Sequence, residues 1–249
     1  MAQNLQVAEA RPRPVEDAPE HPDALPPQRV PDAAVSVTAA RPWWRQAWVI
    51  PLAVVVFAFL MMVWPPYLGL DPKTSLIPIR TGSPAHYPML VAHIATGTIA
   101  LLTVILQLWP WIRRNRPELH RWAGRTYVYA GAVPSALLAF LITPLSMGPS
   151  VGTTLGGVLW LFTTGMGTWR AVQGNIRSHR QWMLYSFAFA INIVWGRVFV
   201  VLLMSFEVQN QAVWAQITGT APWLGWVINL FLVQWWLNRT ADRPVKDLI

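Results

Sequence analysis

The sequence has no cysteine, which excludes disulfides, thiolate catalysis, iron–sulfur clusters and Cys-ligated zinc. Any metal or redox site must therefore use His, carboxylate or Met. Acidic residues are few, 11 against 19 Lys and Arg, and the apolar runs nearly lack them, with Glu118 and Glu207 only at their ends. Proton and cation carriers usually keep an intramembrane Asp or Glu, so a proton-coupled carrier is disfavoured. The patterns HExxH and GxSxG and a phosphate-cradling glycine loop are also missing, which leaves hydrolase and kinase chemistry without a supporting signal. Charge as a whole is sparse at 12% of residues, roughly half that of an ordinary soluble domain.

Apolar residues supply 54% of the chain, and the expected fold is an all-α integral membrane helical bundle. Windows of about 19 residues give six transmembrane helices, each near the roughly 20 residues a bilayer crossing needs. They fall at about 46–64, 89–109, 123–146, 153–171, 182–205 and 222–238. The fourth is rich in Gly and Thr and is the least apolar. Sixteen Trp punctuate the chain, most at span ends: Trp43, Trp44, Trp48 and Trp64 around the first, Trp109 and Trp111 after the second, Trp235 and Trp236 closing the sixth. Amphipathic rings collect at headgroup depth, so these mark the interfaces.

Residues 1–40 contain no aromatic residue and seven Pro. Such a composition buries too little surface to offset ordering entropy, and it reads as a disordered cytoplasmic tail, with a regulatory docking segment as the alternative. Residues 41–240 form the six-helix domain, with its core helices at 89–205, and 241–249 a cytoplasmic C-terminal tail. The first span starts about 45 residues in and lacks a small-residue cleavage site after it, so it is expected to stay as a signal anchor.

Counting Lys and Arg by segment orients the bundle. The N-terminal tail has five, the 110–125 loop five (Arg113, Arg114, Arg116, Arg121, Arg125), the 170–181 loop three and the C-terminus three, against Lys73 and Arg80 on the opposite side. The asymmetry predicts that both termini face the cytoplasm and places a multi-pass protein in the bacterial cytoplasmic membrane. The net charge of +8 then reflects topology and attraction to anionic headgroups of the lipid bilayer, and implies no nucleic-acid partner.

The histidines carry what chemistry remains. His21 in the tail and His86 in the outer loop read as solvated. His93 lies about four residues into the second span, roughly 6 Å below the outer surface, whereas His120 and His179 begin the third and fifth spans on the cytoplasmic side. Two depths imply two sites. His120, Gly124, Tyr127 and Gly131 follow helical 4, 3, 4 spacing, as do His93, Gly97 and Ala100. Stripes of this kind admit either a neighbouring backbone or a flat ligand. His179 and Arg197 are 18 residues apart, five whole turns, so they share a face with Ser186 and Ala190 and lie about 27 Å apart along the axis. That brings Arg197 to the depth of His93.

For His120 and His179 one reading is bis-imidazole ligation of a b-type haem between helices three and five, a metal site in which Arg121, Arg125 and Arg180 meet the propionates and Tyr127 shares the stripe. The alternative makes both imidazoles interfacial groups that hydrogen-bond lipid phosphates or helix-start backbone. Another metal, or a small redox molecule such as a quinone, is the third. At the outer side, His93 with Arg197 forms a second candidate site, because an Arg inside a span rarely faces lipid; its alternative is snorkelling to the surface.

The residues His93-x-x-x-Gly97, Gln107, "HRWAGRTY" (120–127) and "HRQWMLYSFAF" (179–189), followed by Arg197, resemble an uncharacterised bacterial membrane family, domain of unknown function 2306. The resemblance covers roughly residues 88–200. It implies a topology and a set of marked residues, but no reaction. A looser likeness is to the ascorbate-reducible transmembrane b cytochromes, which also place His ligands on a central four-helix core; helix four here has none. The expected function is a site-bearing membrane protein, redox or haem-linked, and the competing class is a non-catalytic interaction or lipid-binding membrane component.

Overall fold

The computed structural model describes residues 49–146, 151–204 and 211–241, with the side chains of 199–204 and 211–218 left aside. The chain divides into Met1–Ala40 and Arg41–Ile249, and every described residue lies in the second unit. The expected tail at 1–40, the C-terminal residues from 242 onwards, and Trp43, Trp44 and Trp48 lie outside the described residues.

Among the described residues the regular structure is entirely helical. Helix α1 (Val49–Val63) stops where Pro65 and Pro66 follow, since proline supplies no N–H to continue a ladder. A short turn at Pro72–Thr74 is capped by Asp71, which accepts from the Lys73 N–H at 2.9 Å. Helix α2 (His86–Leu108) ends at Trp109, whose ψ of 109° is extended. A residue before proline avoids the helical region, and Pro110 then opens α3 (Pro110–Asn115). The same device recurs at once, with Arg116 non-helical and Pro117 opening α4 (Pro117–Thr126). Two proline restarts thus turn the chain around between the second and third long helices.

Helix α4 runs through a π-helical turn, Tyr127–Ala132, into α5 (Val133–Ile142). The Val133 N–H bonds the Val128 carbonyl, five residues back, just before Pro134, which has no N–H to give. The wider turn absorbs that missing donor without breaking the rod. Helices α6 (Val151–Val172), α7 (Ile176–Met204) and α8 (Gln211–Arg239) complete the bundle. Gly174 joins α6 to α7 at φ +73°, a conformation that disfavours any Cβ.

Three stretches are long and apolar enough to cross a membrane: Val49–Tyr67, His86–Leu108 and Pro117–Leu145. They coincide with the first three expected spans, but the second begins at His86 instead of 89 and the third at Pro117 instead of 123. Helices α6, α7 and α8 overlie the other three. The Gly and Thr content of α6 lowers its apolar character, and the same residues make it a packing surface. A Cβ on Gly167 would lie 2.6 Å from Met183 Sδ of α7, and one on Gly152 2.5 Å from Trp223 Nε1 of α8. Small residues at such crossings let helices approach closely, where van der Waals contact drives association. Helix α7 packs on α6 and α8, and α2 on the α4–α5 rod.

Candidate functional site

His120 and His179 occupy matching places. Each is the fourth residue of its helix, and each backbone N–H makes the bond that starts the ladder, His120 to the Arg116 carbonyl at 3.1 Å and His179 to the Asn175 carbonyl at 2.8 Å. The two rings are close enough for their charges to interact.

Their side chains differ. His179 Nδ1 lies 2.8 Å from the Gly167 carbonyl of α6. A carbonyl only accepts, so the proton is on Nδ1 and the Nε2 lone pair is left available. His120 is held through its main chain, its carbonyl accepting from Gln107 Nε2 at 2.7 Å, while its Nδ1 is buried with no partner.

Arg113, from the short α3, reaches back to the end of α2. Its Nη1 donates to the carbonyls of Gln107 at 3.0 Å and Leu108 at 3.1 Å, which a helix C-terminus leaves unsatisfied. Burial, with Arg180 and Arg114 nearby, pulls its guanidinium down to about 10. The structure therefore gathers His120, His179, Arg113 and Gln107. Of the expected propionate partners, Arg121 and Arg125 are exposed, Arg121 is close enough for its charge to reach His120, and Arg180, near Arg113, donates to Thr240 Oγ1 at 3.1 Å, near the end of α8. Among the described residues no three His, Asp or Glu converge, so a metal at His120 and His179 would rest on these two imidazoles alone.

The small-residue stripe below His120 meets protein. Gly124 faces the Gln107 amide, where a Cβ would be 3.5 Å from Nε2, and Gly131 presses on Ala100, where a Cβ would be 2.9 Å from the backbone N and Cα. Between them Tyr127 is fully buried. Its hydroxyl lies 2.6 Å from Ser186 Oγ of α7 and accepts from Trp160 Nε1 of α6 at 2.8 Å, and Thr164 Oγ1 lies 2.7 Å from the same Ser186 oxygen. Of the two occupants a stripe of small residues admits, the structure has neighbouring backbone and side chains along this one.

Toward the opposite end, His93 donates from Nδ1 to the Ser135 carbonyl at 2.9 Å, and Ser135 Oγ is 3.2 Å away. Arg197 is partly buried and close enough to His93 for their charges to interact. His86, expected to be solvated, is instead fully buried. Helix α2 begins three residues earlier than the apolar window indicates, and the loop before it folds back so that the Arg80 N–H donates to His86 Nδ1 at 3.0 Å.

Sequence reasoning did not single out Ser186, Thr164 and Trp160 as a unit with Tyr127, nor Arg113 as a helix cap. Polar side chains inside an apolar run are a signal for the first group, but the run does not say which helices meet.

A family model described as "Predicted membrane protein (DUF2306)" matches residues 90–237. No curated protein and no solved structure matches the chain, and the likeness to b cytochromes rests on histidine placement alone.

Proposed function

The chain belongs to the DUF2306 family of predicted membrane proteins, and from that premise we propose that it is a six-span component of the bacterial cytoplasmic membrane, with both termini cytoplasmic, whose cytoplasmic rim binds an anionic lipid headgroup. The observation that carries this is a concentration of guanidinium groups around a buried imidazole nitrogen that lacks a partner. His120 Nδ1 and Arg113 Nε are buried without partners, Arg121 and Arg125 are exposed, and the carboxylates among the described residues are Asp71, in the loop before α2, and Glu118. Juxtamembrane basic clusters attract anionic lipid at roughly 1 kcal/mol per Lys or Arg near the surface. The phosphate oxygens also supply acceptors that His120 and Arg113 lack.

One observation favours a second reading. A metal-ligating His usually donates its other ring N–H to a carbonyl, as His179 does to Gly167, so haem b held by His120 and His179 keeps a correctly oriented imidazole. The contacts of Gly124, Gly131 and Tyr127 oppose it, because they fill the face along which a macrocycle would lie. When bound, haem would supply one-electron transfer.

One preparation tests both readings. The purified full chain is extracted for bound lipid and scanned for absorbance. Retained phosphatidylglycerol that is lost in Arg113→Gln, with no Soret band, supports the headgroup reading; a Soret band without retained anionic lipid would replace it with the haem reading.

A further inference from the structure

We propose that Arg197 and His93 together bind an oxyanion, a carboxylate or phosphate group, at the end of the bundle opposite His120 and His179. Its being the outer end rests on the six-span topology; the site itself is independent of the headgroup reading at the cytoplasmic rim.

Arg197 lies on α7, 18 residues beyond His179, about 27 Å along the axis. Its side chain is partly buried, yet among the described residues it has no hydrogen-bond acceptor and no ion-pair partner. A guanidinium withdrawn from water and left unpaired is costly, and in a membrane helix such a group faces the protein or a water-filled cavity. The groups whose charges it feels are the His93 imidazole and Tyr67. Neither is a carboxylate, so among the described residues none provides a counter-charge to Arg197.

The ring of His93 is already oriented. With Nδ1–H given to the Ser135 carbonyl at 2.9 Å, Nε2 is the free nitrogen, and on protonation it becomes a second donor beside Arg197. A Cβ at Gly97, one turn on, would lie 3.4 Å from Ser135 Oγ, so α2 and α5 are in direct contact beside the ring.

A third group points the same way. Tyr87 is only 8% exposed, and its hydroxyl is buried without a partner. Its ring stacks on Tyr67 with centroids 6.4 Å apart, and Tyr67 is the residue that also senses Arg197. Leu90 and Ile142, with Val194 one turn before Arg197, belong to the same buried cluster as both tyrosines. A fork of five N–H donors, an imidazole with one free nitrogen and an unpartnered hydroxyl therefore belong to one end of the fold, where the carboxylate of Asp71 is felt by Tyr87 but acts on neither Arg197 nor His93. An oxyanion matches that donor set, because its oxygens accept from all three and its charge meets that of Arg197. The group is either the phosphate of an outer-leaflet lipid or that of a free solute.

The test is thermal unfolding of the purified full chain in neutral detergent at constant ionic strength. Chloride is replaced by inorganic phosphate or by acetate in one arm, and dihexanoyl phosphatidylglycerol is added in the other. A saturable rise in the midpoint is expected, in the first arm for a solute and in the second alone for a lipid. Arg197→Gln should weaken the apparent affinity at least about tenfold. Gly165→Ala, where nothing lies within 4 Å of the new methyl, should leave that response unchanged; in an Arg113→Gln background, which weakens the rim, the response must still depend on Arg197, and this separates a failure here from a failure of the rim reading. No response in either arm, or a full response in Arg197→Gln, overturns the proposal. Should Arg197→Gln not fold, 15N-imidazole spectra of the wild-type chain decide. The Nδ1-protonated signal assigned to His93 by its absence from His93→Gln must shift on saturation with phosphate or phosphatidylglycerol, and spectra in which it does not move overturn the proposal.

Discussion

The hydroxyl of Tyr127 lies 2.6 Å from Ser186 Oγ, 59 residues further along the chain. Trp160 Nε1 and Thr164 Oγ1 complete the group, so one phenol joins the α4–α5 rod to both α6 and α7. Four polar side chains share their capacity, with Tyr127, Ser186 and Thr164 fully buried, and an unmet buried group costs about 1–3 kcal/mol.

Tyr127→Phe should therefore lower stability by about 1–3 kcal/mol, although interhelical hydrogen bonds in membranes average nearer 0.6 kcal/mol when taken singly. The larger figure is expected because the Trp160 Nε1–H loses its acceptor, while Ser186 keeps only Thr164. Equilibrium unfolding in detergent measures it, and a variant as stable as wild type would show that these groups find other partners.

Two glycine substitutions should separate in sign. In Gly131→Ala the new methyl meets the Ala100 backbone at 2.9 Å, which cannot move without shifting α2, and a loss of about 1–3 kcal/mol is expected. In Gly165→Ala nothing lies within 4 Å, and replacing a helical glycine should add roughly 0.5–1 kcal/mol. The paired melting temperatures provide the check, with equal shifts refuting the packing account.

If the purified chain is coloured, His120→Ala and His179→Ala should each abolish the Soret band, since either change leaves a bis-His iron without a ligand. His93→Ala should spare it, as His93 belongs to the other end of the bundle. A band lost only with His93 would move the haem to the Arg197 end.

The charge asymmetry fixes an expected orientation. A reporter active only in the periplasm, fused after Ile249, should be silent, and a cytoplasmic reporter there should be active. The opposite result would remove the six-span arrangement.

A chain beginning at Arg41 should insert and keep the melting temperature of the full protein, because the unit Arg41–Ile249 holds every described core residue. Loss of insertion would mean that residues 1–40 contribute to folding.

Apolar run length, interfacial Trp and the proline pairs at 65–66 and 110/117 act over one helix length. Helix positions and the matched His120 and His179 starts were accordingly legible in the sequence, and the two proline restarts, though local, appear only in the structure. The helix limits were less legible: α2 and α4 extend through His86 and through Pro117–Trp122, where polar residues lower an apolar window although the backbone stays helical. What only the tertiary structure decided is which surfaces meet. The 4, 3, 4 stripe of His120, Gly124, Tyr127 and Gly131 has the same period whether it faces a ligand or a helix, and the Gln107 and Ala100 contacts chose the helix. The free nitrogen of His179 follows from a carbonyl on α6, and the burial of His86 from the backbone of Arg80. Periodicity specifies a face of one helix, whereas the partner of that face depends on atoms far away in the chain.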